Sequence, residues 1–315
     1  MKKIKILFMG SSFFSENILK TLLTTMKNEI KVVAVVCQPD RKIGRKQDIV
    51  VLPIKQLAKA HNITIFQPEK IIDSLNDLQL LNIDVILTCA YGQFLPKAIL
   101  NLPKNKCLNI HASLLPQLRG GAPIQWAIIN GLVTTGITLM KMISKMDAGA
   151  IYLQGKVAIS NDDTYTSLVN KLIILAQDML IKNLLKIINN EIKEQEQDEN
   201  KVTFGLNIKR SDEKINWNLS AQLISCHVRG LYNKPIAYTT LNNNIYKIHQ
   251  VAISEQISDP LPGTIVAINK LGIIVATKTN NIIIKVIQPA GKKEIIAACY
   301  YGSKSNPIKV GLIFE

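Results

Sequence analysis

The sequence predicts an α/β fold, a doubly wound, mostly parallel sheet, followed by a second, smaller β-barrel domain of OB-like type. Three observations carry that expectation. Over roughly the first 140 residues, short and solidly apolar runs alternate with helical patterns, the rhythm of strands buried on both faces. One long amphipathic helix and a polar stretch then end the alternation. After about residue 207 the texture changes to five short β-rich segments punctuated by turns.

The elements follow in order. Ile4 to Met9 reads as the first strand, and Gly10-Ser11-Ser12 ends the apolar run too early for a secretory leader. Ser15 to Thr25 repeats apolar residues at Ile18, Leu19, Leu22 and Leu23, one face of a helix. Val32 to Cys37 is the second strand. Pro53 to Ala60 is a short helix with its proline at a tolerated first-turn position. Ile63 to Phe66, Asp84 to Cys89 and Cys107 to Ile110 supply three more strands. Gln125 to Ile129 lies in a helix, and Ile137 to Met142 is a further strand. Tyr165 to Ile188 is the long helix, and the acidic stretch from Asn189 to Asn200 opens a linker. The barrel strands are Ile236 to Thr240, Ile245 to Ile253, Gly263 to Ile268, Gly272 to Thr277 and Ile282 to Ile287. The expected boundaries are 1–188 for the first domain, 189–207 for the linker and 208–315 for the barrel.

Composition narrows the function classes. No apolar run reaches the roughly 18 to 20 residues of a membrane helix, so no membrane partner is expected. Cys37, Cys89, Cys107, Cys226 and Cys299 are far apart and form no CxxC pair, against a zinc ribbon or a disulfide framework. No metal is expected, and free thiols point to a reducing, cytoplasmic location. The net charge of +15 fits a polyanionic partner or a lysine-rich composition. The excess continues into the barrel, with 13 Lys and Arg against 6 Asp and Glu from residue 206 on. That is an electrostatic footprint for RNA or a set of solvated lysines. The first loop lacks the G-x-G-x-x-G spacing of a dinucleotide site.

The richest stretch runs from Cys107 to Gly121. Asn109 and His111 are two apart in a strand and so project together at its carboxyl end, where ligands bind in open α/β sheets. Asp147 follows another strand in a loop containing Gly149. These types suit acylation of an amine: a neutral nucleophile must lose a proton, and an oxyanion must be stabilised. An imidazole donates to the oxyanion or shuttles the proton. An amide supplies a neutral donor, and a carboxylate orients or charge-stabilises the imidazole. Each also has an ordinary structural role open to it: a strand-end histidine, a backbone-satisfying Asn109, a turn Asp147, a surface Arg119.

At these residues the chain resembles the methionyl-tRNA formyltransferases, within the folate-dependent formyltransferase superfamily. The resemblance lies in Asn109-Ile110-His111-Ala112-Ser113-Leu114-Leu115-Pro116, Arg119-Gly120-Gly121-Ala122-Pro123-Ile124 and Asp147-Ala148-Gly149. It implies a formyltransferase catalytic domain with Asn109, His111 and Asp147 as catalytic residues. It implies folate contacts from Ser113, Leu114, Leu115 and Pro116, and from the Ala90-Tyr91-Gly92 loop. It implies tRNA contacts from a basic loop holding Arg41, Arg45 and Lys46, and from Lys292 and Lys293 in an OB-like C-terminal domain. The implied activity is formyl transfer from 10-formyltetrahydrofolate, a co-substrate, to the amino group of initiator methionyl-tRNA, by a monomer. Asn109 and protonated His111 would stabilise the oxyanion, and Asp147 would hold His111. An amino-sugar nucleotide or water as acceptor, or a non-catalytic RNA-binding role, remain open alternatives. The chain departs from the family pattern at Ser11 and Ser12, at Ile143 and over Tyr232-Asn233-Lys234-Pro235.

Overall fold

A computed structural model of the chain describes residues 2–43, 48–233, 235–303 and 306–315. The chain folds as two units. The first holds Met1–Pro123, Thr135–Val157 and Val169–Leu206; the second holds Ile124–Thr134, Ala158–Leu168 and Asn207–Glu315.

In chain order the elements of the first part are β1 (Ile4–Gly10), α1 (Phe13–Thr24), β2 (Ile30–Val36) and two short paired strands, β3 (Arg41–Ile43) and β4 (Asp48–Val50). Then come α2 (Pro53–Ala60), β5 (Thr64–Phe66), α3 (Leu75–Gln79), β6 (Val85–Cys89), α4 (Lys97–Leu100) and β7 (Lys106–His111). They are followed by α5 (Pro123–Ile129), β8 (Thr134–Lys141), β9 (Ile151–Ala158) and α6 (Tyr165–Ile188). Seven of the strands form one sheet in the order β5-β2-β1-β6-β7-β8-β9. Pairing is parallel from β5 through β7, and β8 runs antiparallel to β7.

The strand order explains where a site forms. The chain leaves β1 toward β2 and β5, then returns to its other side at β6, so the switch point lies between β1 and β6. Their carboxyl ends are stitched together. Ser11 N donates to Ala90 O at 3.2 Å, and Ser11 Oγ accepts from Gln38 N at 2.9 Å. Ser12 caps α1, accepting from Ser15 N, which satisfies a helix-end donor that the chain's own turns cannot reach. The two serines that depart from the family pattern thus join loops and cap a helix. β6 is buried along its whole length, as a strand covered on both faces must be.

The second unit is built on α7 (Ala221–Gly230), β10 (Tyr238–Leu241), β11 (Asn244–Ile257), β12 (Ile265–Asn269), β13 (Gly272–Val275), β14 (Asn280–Pro289) and β15 (Ile295–Ile296). The sheet order is β10-β11-β14-β13-β12, all antiparallel, with β15 on β14. Residues 311–315 fill the seam between its two edges. Gly311 and Leu312 exchange backbone hydrogen bonds with Ile265 of β12, at 2.8 Å each. Glu315 exchanges another pair with Thr240 of β10, at 2.9 and 3.1 Å. Between them, buried Phe314 stacks on Trp217 at 5.9 Å and meets the edge of Tyr246.

The expected strands and long helix stand where the pattern placed them, within a few residues at each end. Among the features not anticipated are β9, α7, the β3/β4 pair, the short α3, α4 and β15, and the tail that fills the seam. The stretch read as a linker is ordered against the first unit as far as Leu206.

Phe314→Ala removes a buried aromatic from the seam and is expected to cost about 3–5 kcal/mol. Both tryptophans, Trp126 and Trp217, belong to the second unit, so tryptophan fluorescence during urea unfolding reads it directly. A loss below about 1 kcal/mol would show that the tail is not part of this core.

Candidate active site

All three residues singled out for chemistry lie in the first unit. Asn109 and His111 end β7, where parallel pairing sets Thr88 of β6 beside Asn109. The Thr88 hydroxyl donates to Asn109 Oδ1 at 2.8 Å and lies 3.0 Å from Met142 Sδ. That fixes the amide with its Nδ2 free: among the described residues, no acceptor meets it.

The His111 ring is buried, and Nε2 lies 3.0 Å from the Leu118 carbonyl. A carbonyl can only accept, so Nε2 carries a proton and Nδ1 is the nitrogen left for chemistry. Nδ1 lies 3.7 Å from Asp147 Oδ1, too far for a direct hydrogen bond. Leu118 holds the ring, and Asp147 faces it across a gap.

Asp147 sits in the loop that joins β8 to β9. Its backbone adopts φ +47°, the left-handed region. Its Oδ2 accepts from Gly120 N at 2.9 Å. Two glycines make this approach possible. A Cβ on Gly149 would stand 2.0 Å from Lys141 O, and one on Gly120, at φ +128°, would stand 2.7 Å from Gly205 O.

Arg119 is 1% exposed, so it is no surface charge. A buried guanidinium must be paired, and here Nε and Nη2 donate to Gln197 Oε1 while Nη2 also donates to Glu199 Oε1. Both partners come from the stretch expected to be a linker. That stretch also accepts from the site loop: Leu118 N donates to Thr203 Oγ1, and Arg119 N to Thr203 O, each at 2.9 Å.

The residues expected to bind folate are placed less openly. Ser113 and Leu115 are buried, and the Ser113 carbonyl and Leu115 N–H are both taken by the Thr138 hydroxyl. Ala90 and Gly92 are exposed at the carboxyl end of β6, whereas Tyr91 is buried. A cavity of about 820 Å³ opens elsewhere, lined among others by Lys97, Leu100, Cys107, Met142, Ile143 and Ser144. It shares none of the seven expected folate residues and lies at the amino-terminal end of β7, the end opposite His111. Burial pushes the Cys107 thiol up to about 12, so it is not a nucleophile there. Of the residues expected to meet tRNA, Arg41 is exposed and paired with Glu69, and Lys292 and Lys293 are exposed after β14. Arg45, Lys46 and Lys234 lie outside the described residues.

Comparison with known proteins identifies the fold and the family. The family described as "Formyl transferase" matches residues 2–184, and "Formyl transferase, C-terminal domain" matches 207–304. A methionyl-tRNA formyltransferase of Mesoplasma florum is 44% identical over 315 residues, covering 100% of both chains. The chain belongs to the methionyl-tRNA formyltransferase family. Among solved structures, methionyl-tRNA formyltransferase from Clostridium thermocellum superposes with TM-score 0.54 at 18% identity, covering 80% of this chain and 94% of that one. The N-formyltransferase from Helicobacter canadensis, in complex with folinic acid and dTDP-3-aminofucose, gives TM-score 0.66 at 20% identity, covering 91% and 99%. These two likenesses show the fold.

The Arg119 anchor has a pH signature. Hydrogen bonds from Arg119 first, and Lys145 second, hold the Glu199 carboxyl at about 2, below its ordinary 4.5. A depressed carboxyl stabilises the fold above the ordinary value and loses that contribution as pH falls through the folded one. Glu199→Gln is expected to lower the thermal midpoint slightly at neutral pH, because Glu199 is exposed. The gap from the parent should close as pH drops from 4.5 to about 2. A gap that widens on acidification would contradict the pairing.

Proposed function

We infer that this chain transfers a formyl group from 10-formyltetrahydrofolate to the amino group of methionyl-tRNA, with the initiator tRNA as acceptor. The reading is carried by the full-length identity to a relative of that name, together with the side-chain set at the end of β7.

The geometry supports a direct transfer. The methionyl amine attacks the formyl carbon as a neutral nucleophile. As the new C–N bond forms, the carbonyl electrons move onto oxygen, and Asn109 Nδ2 donates to that oxygen. The amine's proton passes to His111 Nδ1, since Nε2 is committed to Leu118. The imidazolium is stabilised by the Asp147 carboxylate 3.7 Å away. When the bond to the folate nitrogen breaks, that proton neutralises the leaving amine. The products are formylmethionyl-tRNA and tetrahydrofolate, and no enzyme-bound intermediate is required.

For the donor, the Ala90 to Gly92 loop after β6 and Ser113 to Pro116 after β7 are read as the folate contacts, at the same carboxyl edge of the sheet as Asn109 and His111. For the acceptor, Arg41, Arg45, Lys46, Lys292 and Lys293 are read as phosphate contacts, which makes binding salt-dependent. Every group in the reaction comes from one unit of one chain, which supports a monomer as the working form. The acceptor places the enzyme in the cytoplasm, where free thiols such as exposed Cys299 persist.

Incubation with 10-formyltetrahydrofolate and charged initiator tRNA, a UDP-amino sugar, or neither separates the acceptors. Formyl is expected on methionyl-tRNA alone, and His111→Ala is expected to lower the rate by about 10²–10⁴-fold with the fold intact. Transfer to the sugar, or release without an acceptor, would replace the tRNA reading. Near-normal turnover in folded His111→Ala would remove the histidine from the mechanism.

A further inference from the structure

Gln197 falls in the stretch that the sequence presents as a linker, and nothing in its local pattern marks it for chemistry. In the folded chain it is half-buried, and its side-chain amide is wholly engaged at the site. Nε2 donates to the carbonyls of Asp147 and Gly149, each at 2.8 Å. Oε1 accepts from Arg119 Nε at 3.0 Å and Nη2 at 2.8 Å. A primary amide has two N–H donors and one oxygen with two lone pairs, so no capacity is left over.

These bonds bear on a strained turn. Asp147 holds φ +47°, which a residue with a Cβ keeps only when its surroundings over-determine it. Gly120 N–H grips the carboxylate, and Gln197 grips the backbone carbonyls on both sides of Ala148. Arg119 orders both grips. Its guanidinium orients the Gln197 amide, and its peptide carries the Gly120 N–H. Buried without partners, Arg119 would be costly, and Gln197 and Glu199 supply them.

We propose that Gln197 is a positioning residue for formyl transfer, acting through Asp147. It touches no reacting atom. It fixes the Asp147 turn so that the carboxylate stands at its observed distance from His111 Nδ1. The proposal rests on the reading of Asp147 as the group that stabilises charged His111. The chemistry requires a glutamine. A glutamate keeps an acceptor for Arg119 but has no N–H, and it would turn a carboxylate toward two carbonyls. Gln197→Glu therefore releases the turn while leaving the Arg119 anchor paired.

The test is steady-state formyl transfer to methionyl-tRNA by the full chain, comparing the parent with Gln197→Glu, Gln197→Ala and Asp147→Asn, each with a thermal melt. For Gln197→Glu, kcat is expected to fall about 10–100-fold, as for a small misplacement of a reacting group, with KM for either substrate within about threefold. Its melting midpoint is expected to stay within about 2 °C of the parent. Gln197→Ala is expected to show the same split between kcat and KM. Parental kcat in Gln197→Glu alongside a crippled Asp147→Asn would overturn the proposal alone. Parental turnover in Asp147→Asn would overturn the reading on which it rests. A loss that appears in KM, or that tracks a loss of folded protein, would make Gln197 merely structural.

Discussion

The site depends on one hydrogen bond, from His111 Nε2 to the carbonyl of Leu118. It decides which ring nitrogen meets the reaction. β7 delivers the ring to the carboxyl edge of the sheet, and the loop that follows must turn back to meet it. The turn is not free of strain. Leu118 sits at φ +58°, a conformation uncommon for a branched, bulky residue, at a cost on the order of 1–3 kcal/mol. Thr203 holds its N–H and His111 holds its carbonyl, so both polar groups of the strained residue are in use.

The second constraint is supplied by residues 195–205. Following α6, the segment pairs with the start of β9 through bonds between Gln195 and Ile151, and it ends on Arg119 and Ala122 through Gly205. Along the way it buries one guanidinium and braces one turn. Arg119 thus binds the histidine loop and the aspartate loop into a single rigid piece. Preorganisation of this kind is what lets a carboxylate and an amide stabilise charge without moving when it develops.

Some of this was legible in the sequence and some was not. Asn109 and His111 could be placed because alternation along a strand and the carboxyl-edge rule need only local pattern. Asp147 could be placed because a glycine-bearing loop follows an apolar run. The Leu118 carbonyl could not, because a backbone acceptor has no letter of its own. Gln197 meets Arg119 across 78 residues and Asp147 across 50, and no local period records such distances. Arg119 read equally well as a surface charge because its letter carries no sign of its partners. In the first unit, β9 alternates exposed and half-buried positions at the sheet's edge, a weak apolar signal. In the second, α7 carries Ser225, Cys226, His227 and Val228, poor helix formers held by packing and by the Ser220 cap. The seam between β10 and β12 is filled through backbone bonds, which again leave no mark in the sequence.

The most direct measurement of the account is the tautomer of His111, read by ¹⁵N chemical shifts and long-range ring couplings in labelled protein, assigned by comparison with a His111→Gln variant. The account predicts that the neutral ring carries its proton on Nε2, held by Leu118, with Nδ1 unprotonated and facing Asp147. A neutral ring protonated on Nδ1 would contradict it, because the nitrogen assigned to take the amine's proton would already be occupied.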